Sequence, residues 1–421
     1  MTTASHAPPP CGMPTRRAAL LTAAAAAALP VATLASARSA QAQGAAAPAA
    51  SPVADLIVEK RVFEAGEYRT RGGATVANLR VGYQTAGRLN EAGDNAVLVA
   101  HFFSANSHAF GRYEPGGPAG YWDAIVGPGK ALDTERYFVV SSDTPVNLNA
   151  RDPRTVTTGP ATVDPSTGRP YGMSFPVMSI RDFVEVQKRL LDGLGVRRLA
   201  LVAGPSMGAL QAIEWAAAYP EMVERVMPVI GTGEVDAYLQ GWMEVWEAPI
   251  RLDPNWREGD YYGPGREPPL RGLAESLKII TLHARDRGDL ARFAGAPEGQ
   301  DPARRIGDRF GVERWLDETA TARARTADAN ALLYLTRANQ LFLNEYPNRD
   351  AALARSRARW LVVPSVGDRV FPIEYNRELA EALRRAGREV EVAELTGGLG
   401  HLEGVASMAK VEGAIRAFLA R

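Results

Sequence analysis

The chain has 421 residues, 46% of them apolar and 23% charged, enough to build a large buried core. Its 48 basic and 48 acidic residues cancel, which excludes the positive excess that grips nucleic acid or an anionic membrane surface. A single cysteine, Cys11, excludes an internal disulfide framework.

Residues 1–42 read as an export signal. Thr15-Arg16-Arg17-Ala18-Ala19-Leu20 resembles a twin-arginine motif, an Ala/Leu-rich stretch follows, and Ala40-Gln41-Ala42 is an A-x-A cleavage site. The apolar stretch is short and alanine-dominated, so removal is expected rather than a stable membrane anchor. Cleavage takes away Arg16, Arg17, Arg38 and no acid, leaving 45 basic against 48 acidic residues, and it also takes Cys11. The expected location is the periplasm or the medium. Residues 43–52 form an Ala/Pro linker.

From residue 53 the pattern is of strands and turns. Leu56 to Phe63 and Leu79 to Thr85 read as strands, with Gly72-Gly73 as a turn between them. Ala96 to Ala100 is the first fully apolar run, followed at once by His101-Phe102-Phe103-Ser104-Ala105. Tyr137 to Val140 is a further strand. Residues 143–178 are rich in Thr, Pro, Gly and Asp and read as a long loop, a length that usually serves function. Arg181 to Leu194 has helical apolar spacing.

Leu199 to Pro220 organises the rest. An apolar run, Leu199 to Ala203, leads into Gly204-Pro205-Ser206-Met207-Gly208, which fits G-x-S-x-G. Ala209, Ile213, Ala216 and Ala217 then recur at helical spacing until Tyr219-Pro220. Strand, sharp turn and helix make a nucleophile elbow, in which only glycine fits at 204 and 208. The turn exposes the Ser206 hydroxyl and aims the Met207 N–H at an oxyanion. The second oxyanion N–H is assigned to Phe103, in the loop after the Ala96–Ala100 strand. Core packing accounts for the side chains of Phe102 and Phe103 equally well.

A nucleophilic serine needs a base and an orienting acid, in an α/β-hydrolase in the order Ser, Asp, His. Trp360 to Pro364 reads as a buried strand, with Asp368 in the turn after it. Glu389 to Val392 reads as another, with Gly397-Gly398-Leu399-Gly400-His401 as the loop that follows. Both candidates sit just past strand ends, where an open parallel sheet places its site. Between the strand at Val226 to Ile230 and that at Trp360, strand patterns vanish over 231–357. This segment is expected to be an inserted helical cap, and its Trp242, Trp246, Trp256, Tyr261, Tyr262 and Trp315 either line the site or fix the cap to the core. The expected fold class is α/β: a mostly parallel sheet with helices on both faces, its core formed by 53–230 and 358–421.

Several segments together resemble the homoserine O-acetyltransferase family of the α/β-hydrolase fold. They are Tyr83 to Asn90, Gly127 to Thr134, Thr158-Gly159-Pro160, Ser206-Met207-Gly208 with Glu214-Trp215-Ala216, Asp253 to Trp256, Tyr334 to Ala338, and Asp368 to Pro372. The resemblance implies Ser206 as nucleophile, His401 as base and Asp368 as its partner, with an acyl group passed through the serine to an amino-acid hydroxyl. It also implies three substrate contacts that this chain alters. The acid after the histidine, which meets the substrate ammonium, is Leu402. The cap arginine that meets the carboxylate is Glu247, and a cap tyrosine is Leu282. Losing both ion pairs in a dry site would cost a few kcal/mol each, on the order of 2–5, so homoserine is not the expected acceptor.

Three readings follow. One is an exported serine hydrolase acting on a small-molecule ester or acyl substrate; the second is an O-acyltransferase with a less polar acceptor. The third, an inactive binding protein, fits poorly with an intact Ser, Asp, His order. No cofactor, metal or nucleic acid is expected; a homodimer is a further expectation.

Overall fold

The structure, a computed structural model, describes residues 55–421. The expected signal, 1–42, and linker, 43–52, lie outside the described residues. An eight-stranded sheet forms the centre, built from β1 (Arg61–Arg69), β2 (Thr75–Ala86), β3 (Ala96–Ala100), β4 (Phe138–Ser142), β5 (Leu199–Pro205), β6 (Arg225–Val229), β7 (Arg359–Val362) and β8 (Val390–Val392). Their order is β1-β2-β4-β3-β5-β6-β7-β8. The β1–β2 and β2–β4 pairs are antiparallel and all later pairs parallel.

Every residue of β3, β5 and β6 is buried, because helices cover both sheet faces. Side chains alternate: Ala96 and Leu98 join one core cluster, Val97 and Val99 the other. Helix α1 (Ile180–Gly193) follows β4 and α2 (Met207–Ala218) follows β5. Ser179 caps α1 with Asp182 as the return partner, a capping box that fixes where the long loop ends. Between β6 and β7 the chain is helical: α3 (Ala237–Leu252), α4 (Leu270–His283), α5 (Gly311–Ala324), α6 (Ala329–Gln340) and α7 (Arg349–Arg355). Helix α8 (Ile373–Arg385) joins β7 to β8, and α9 (Glu412–Leu419) ends the chain. No helix of the described residues is long and apolar enough to cross a membrane.

Strand bounds differ from the sequence reading, most at the N-terminal end of the sheet. The first strand runs over Arg61–Arg69 rather than Leu56–Phe63. It is an edge strand whose register shifts twice around Gly66, and its largely exposed residues carry little of the apolar alternation that marks a strand. Ala352 and Leu353 are buried in the core cluster that holds Trp215, and Arg355 Nε donates to Ala217 O at 2.9 Å, so α7 packs on α2.

Candidate active site

The turn after β5 is sharp. Ser206 has φ 58° and ψ −119°, a left-handed-side conformation that costs a non-glycine residue about 1–3 kcal/mol. Its N–H donates to Val229 O at 2.9 Å, and its carbonyl accepts from Ala209 N at 2.8 Å, which holds the turn in place. A Cβ at Gly204 or Gly208 would fall inside contact distance of the Ala100 carbonyl oxygen. The elbow therefore nests against the end of β3.

Three parallel strands deliver three side chains to one place. His401 Nε2 lies 2.8 Å from Ser206 Oγ, and His401 Nδ1 lies 2.7 Å from Asp368 Oδ2. The Asp368 side chain is fully buried, and its Oδ1 accepts from the N–H groups of Val370 (2.8 Å) and Phe371 (3.0 Å). An ionised carboxylate only accepts, so Nδ1 must carry the proton and Nε2 is left to accept from the Ser206 hydroxyl. Such a chain can take a proton from the serine as it attacks an electrophile.

The histidine loop is tied down from above. His401 N–H donates to Ala284 O at 3.1 Å, Asp289 N–H donates to Gly398 O at 3.0 Å, and Ser365 Oγ donates to Gly400 O at 2.8 Å. Gly400 has φ +66°, and a Cβ there would press on the backbone at Arg285–Asp286. The link from α4 onward thus packs directly on the loop carrying His401.

The loop after β3 brings Phe103 to the same cavity as Ser206. Among the described residues neither the Phe103 N–H nor the Met207 N–H donates to a protein acceptor. The long 143–178 loop holds this segment: Asn147 Nδ2 donates to Ala105 O and Asn149 Nδ2 to Ser104 O, each at 3.0 Å. His101, fully buried, accepts from Thr144 N–H at Nε2 and donates from Nδ1 to Phe102 O.

The cavity measures about 220 Å3, below the roughly 300–1,000 Å3 of pockets for drug-sized ligands. Aromatic and aliphatic side chains form most of its wall, among them Phe102, Trp246, Ile280 and Val370. Leu402 lines it, next to His401. Glu247 and Leu282, the other two expected contacts, do not. Trp246 faces the cavity, and Glu247, about 100° further round α3, is buried against Arg251 one turn on. Burial pushes the Glu247 carboxyl up, against the pull of Arg251. On α4, Ile280 and Thr281 face the cavity while Leu282 is 46% exposed. Two residues of the wall, Arg285 and Arg323, carry no sequence signal, since arginine is frequent throughout the cap. Of the cap aromatics, only Trp246 lines the cavity. Tyr261 and Tyr262 donate to Asp328 at 2.9 Å each, Trp242 stacks on His283, and Trp315 stacks on Phe293. Burial pushes His283 down to about 4, so at neutral pH it adds no charge beside His401.

The sheet order, elbow and hydrogen-bonded Ser206–His401–Asp368 chain define a member of the α/β-hydrolase fold, and the sequence profile of that fold matches residues 113–404. Within it, the chain belongs to the homoserine O-acetyltransferase family. A homoserine O-acetyltransferase of Symbiobacterium thermophilum is 38% identical over 88% of this chain and 97% of its own. One from Rhodospirillum rubrum is 36% identical over 79% of this chain and 85% of its own. Among solved structures, esterase E22 is 44% identical, with a TM-score of 0.83, over 86% of this chain and all of its own. Homoserine O-acetyltransferase from Bacillus anthracis is 32% identical, TM-score 0.82, over 87% of this chain and 98% of its own. The protein is accordingly an enzyme of acyl transfer or acyl hydrolysis.

Proposed function

We propose that the protein is an exported serine hydrolase that cleaves a small acyl ester through an acyl-enzyme on Ser206. The observation that carries this reading is the continuous chain from Ser206 Oγ through His401 to buried Asp368, at 2.8 and 2.7 Å, opening on a small, mostly apolar cavity. His401 Nε2 takes the hydroxyl proton as Oγ bonds to the acyl carbon. The oxyanion that forms accepts from the N–H groups of Phe103 and Met207, each such donor being worth about 3 kcal/mol. Collapse breaks the acyl carbon–oxygen bond, and His401 returns the proton to the leaving alcohol. Water, deprotonated by the same nitrogen, then releases the acid and restores Ser206.

A second reading is O-acyl transfer, with a hydroxyl compound in place of that water. The curated relatives, homoserine O-acetyltransferases, favour transfer over hydrolysis. Hydrolysis is favoured by the 44% identity to esterase E22 and by the cavity itself. Leu402 offers an ammonium no acceptor, and no carboxylate lines the wall. The deciding experiment compares kcat/KM for hydrolysis of p-nitrophenyl acetate with that for acetyl transfer from acetyl-CoA to homoserine. Hydrolysis is expected to be faster by about 1,000-fold or more, the cost of losing two ion pairs. A larger value for transfer overturns the hydrolase reading.

Export rests on the twin arginines and the Ala40-Gln41-Ala42 site. Replacing Arg16 and Arg17 together with lysine is expected to retain the precursor in the cytoplasm, and the exported wild type is expected to begin at Gln43. N-terminal sequencing of exported protein that returned residues from 1–42 would reject the cleavage site.

A further inference from the structure

Arg323 is the one cation of the cavity wall, among the described residues, with no acid to answer it. It stands on α5 and lines the same cavity as Ser206 and His401. Its guanidinium donates to Thr281 Oγ1 at 2.6 Å, and no carboxylate of the described residues lies within ion-pair distance. The neighbouring Arg285 is already committed, paired with Asp289 and lying over the Trp315 ring at 4.9 Å. Asp289 is itself shared with Arg292. Two guanidinium groups thus border one small cavity with no acid on its wall. Burial and the nearby Arg285 push Arg323 down to about 10, which still leaves it protonated at neutral pH.

A half-buried cation on a cavity wall with no acid to answer it is costly, and proteins keep one where a ligand anion completes it. The guanidinium has a planar fork that fits a carboxylate with two parallel hydrogen bonds. We propose that Arg323 binds a carboxylate of the substrate, so that the preferred substrate is a short ester carrying one negative charge at the end away from the scissile bond. The inference rests on the ester-cleaving reading of the same site and names its substrate class. A cavity of about 220 Å3 suits a short spacer between ester and carboxylate.

The carboxylate can enter on the acyl side or on the alcohol side, and two pairs of substrates separate these. The acyl-side pair is p-nitrophenyl hemiglutarate and neutral p-nitrophenyl butyrate. The alcohol-side pair is O-acetylglycolate and its methyl ester. In wild type, the anionic member of one pair is expected to have the higher kcat/KM. In Arg323→Met, which keeps length and removes charge, the anionic-to-neutral ratio of that pair is expected to fall about 30- to 100-fold. Arg323→Lys is expected to recover part of it. A direct reading of binding uses Ser206→Ala protein, in which Trp246 in the cavity wall reports glutarate by its fluorescence. The glutarate Kd is expected to rise by a similar factor when Arg323→Met is added. No anionic preference in wild type for either pair, or an unchanged ratio in Arg323→Met, overturns the assignment. Glutarate binding lost with Arg323→Met in a protein that turns over no ester would instead retain the anion site and reject the hydrolase reading.

Discussion

Replacing Ser206 with alanine is expected to lower kcat for ester hydrolysis by about 10⁴- to 10⁶-fold while the protein stays folded. The loss is large because Oγ is the atom that bonds the acyl carbon, and among the described residues no other hydroxyl stands within hydrogen-bond distance of His401 Nε2. The fold survives because the elbow is held by backbone hydrogen bonds at Ser206 N and O, which alanine retains. His401→Ala is expected to lose nearly as much. The double variant should lose no more than either single one, since the groups act as a unit. In Asp368→Asn, Oδ1 can still accept from Val370 and Phe371, which turns the amide nitrogen toward His401. An N–H there cannot accept from Nδ1, so the wrong tautomer is favoured, at a cost of about 10⁴ in kcat. Steady-state kinetics with p-nitrophenyl acetate, alongside circular dichroism, makes the check. Turnover in Ser206→Ala within tenfold of wild type rejects the assignment.

The second large effect falls on stability. Gly208→Ala puts a methyl group against the Ala100 carbonyl, backbone that cannot rotate away without moving β3. The expected destabilisation is about 4 kcal/mol or more, the range of severe backbone or overpacking changes, and Gly204→Ala should behave alike. Gly241, exposed on α3 with nothing within 4 Å of an added Cβ, is the contrast. Gly241→Ala is expected to stabilise by about 0.5–1 kcal/mol, because alanine is the better helix former. Thermal unfolding of the three variants decides this, and a Gly208→Ala Tm equal to wild type removes the steric account of the elbow.

What the sequence made legible follows from how locally each feature is encoded. The elbow needs a strand, two glycines, a serine and a helix within about twenty residues, and the apolar runs of β3 and β5 leave no alternative. Asp368 and His401 were findable because chain order and strand ends restrict where a partner can stand. Edge strand β1 was misplaced because its partner is on one side only, and its bulges break the alternation. Glu247 and Leu282 show a different limit. A helix turns by about 100° per residue, so an error of one position changes a cavity-lining residue into a buried pair or a solvent-facing one. Arg323 was not legible at all. Its importance lies in the acid that is missing around it, and a missing neighbour leaves no trace in a one-dimensional string.

The histidine loop is fastened to the cap as well as to the sheet. His401 N–H hangs from Ala284 O, and Gly398 O from Asp289 N, so the proton carrier is mounted on the roof of the chamber as well as on the sheet. Lifting the roof at residues 284–289 would strain the histidine's seating on Ser206. The wall that encloses the acyl group and the mount that holds its base are therefore one piece of structure.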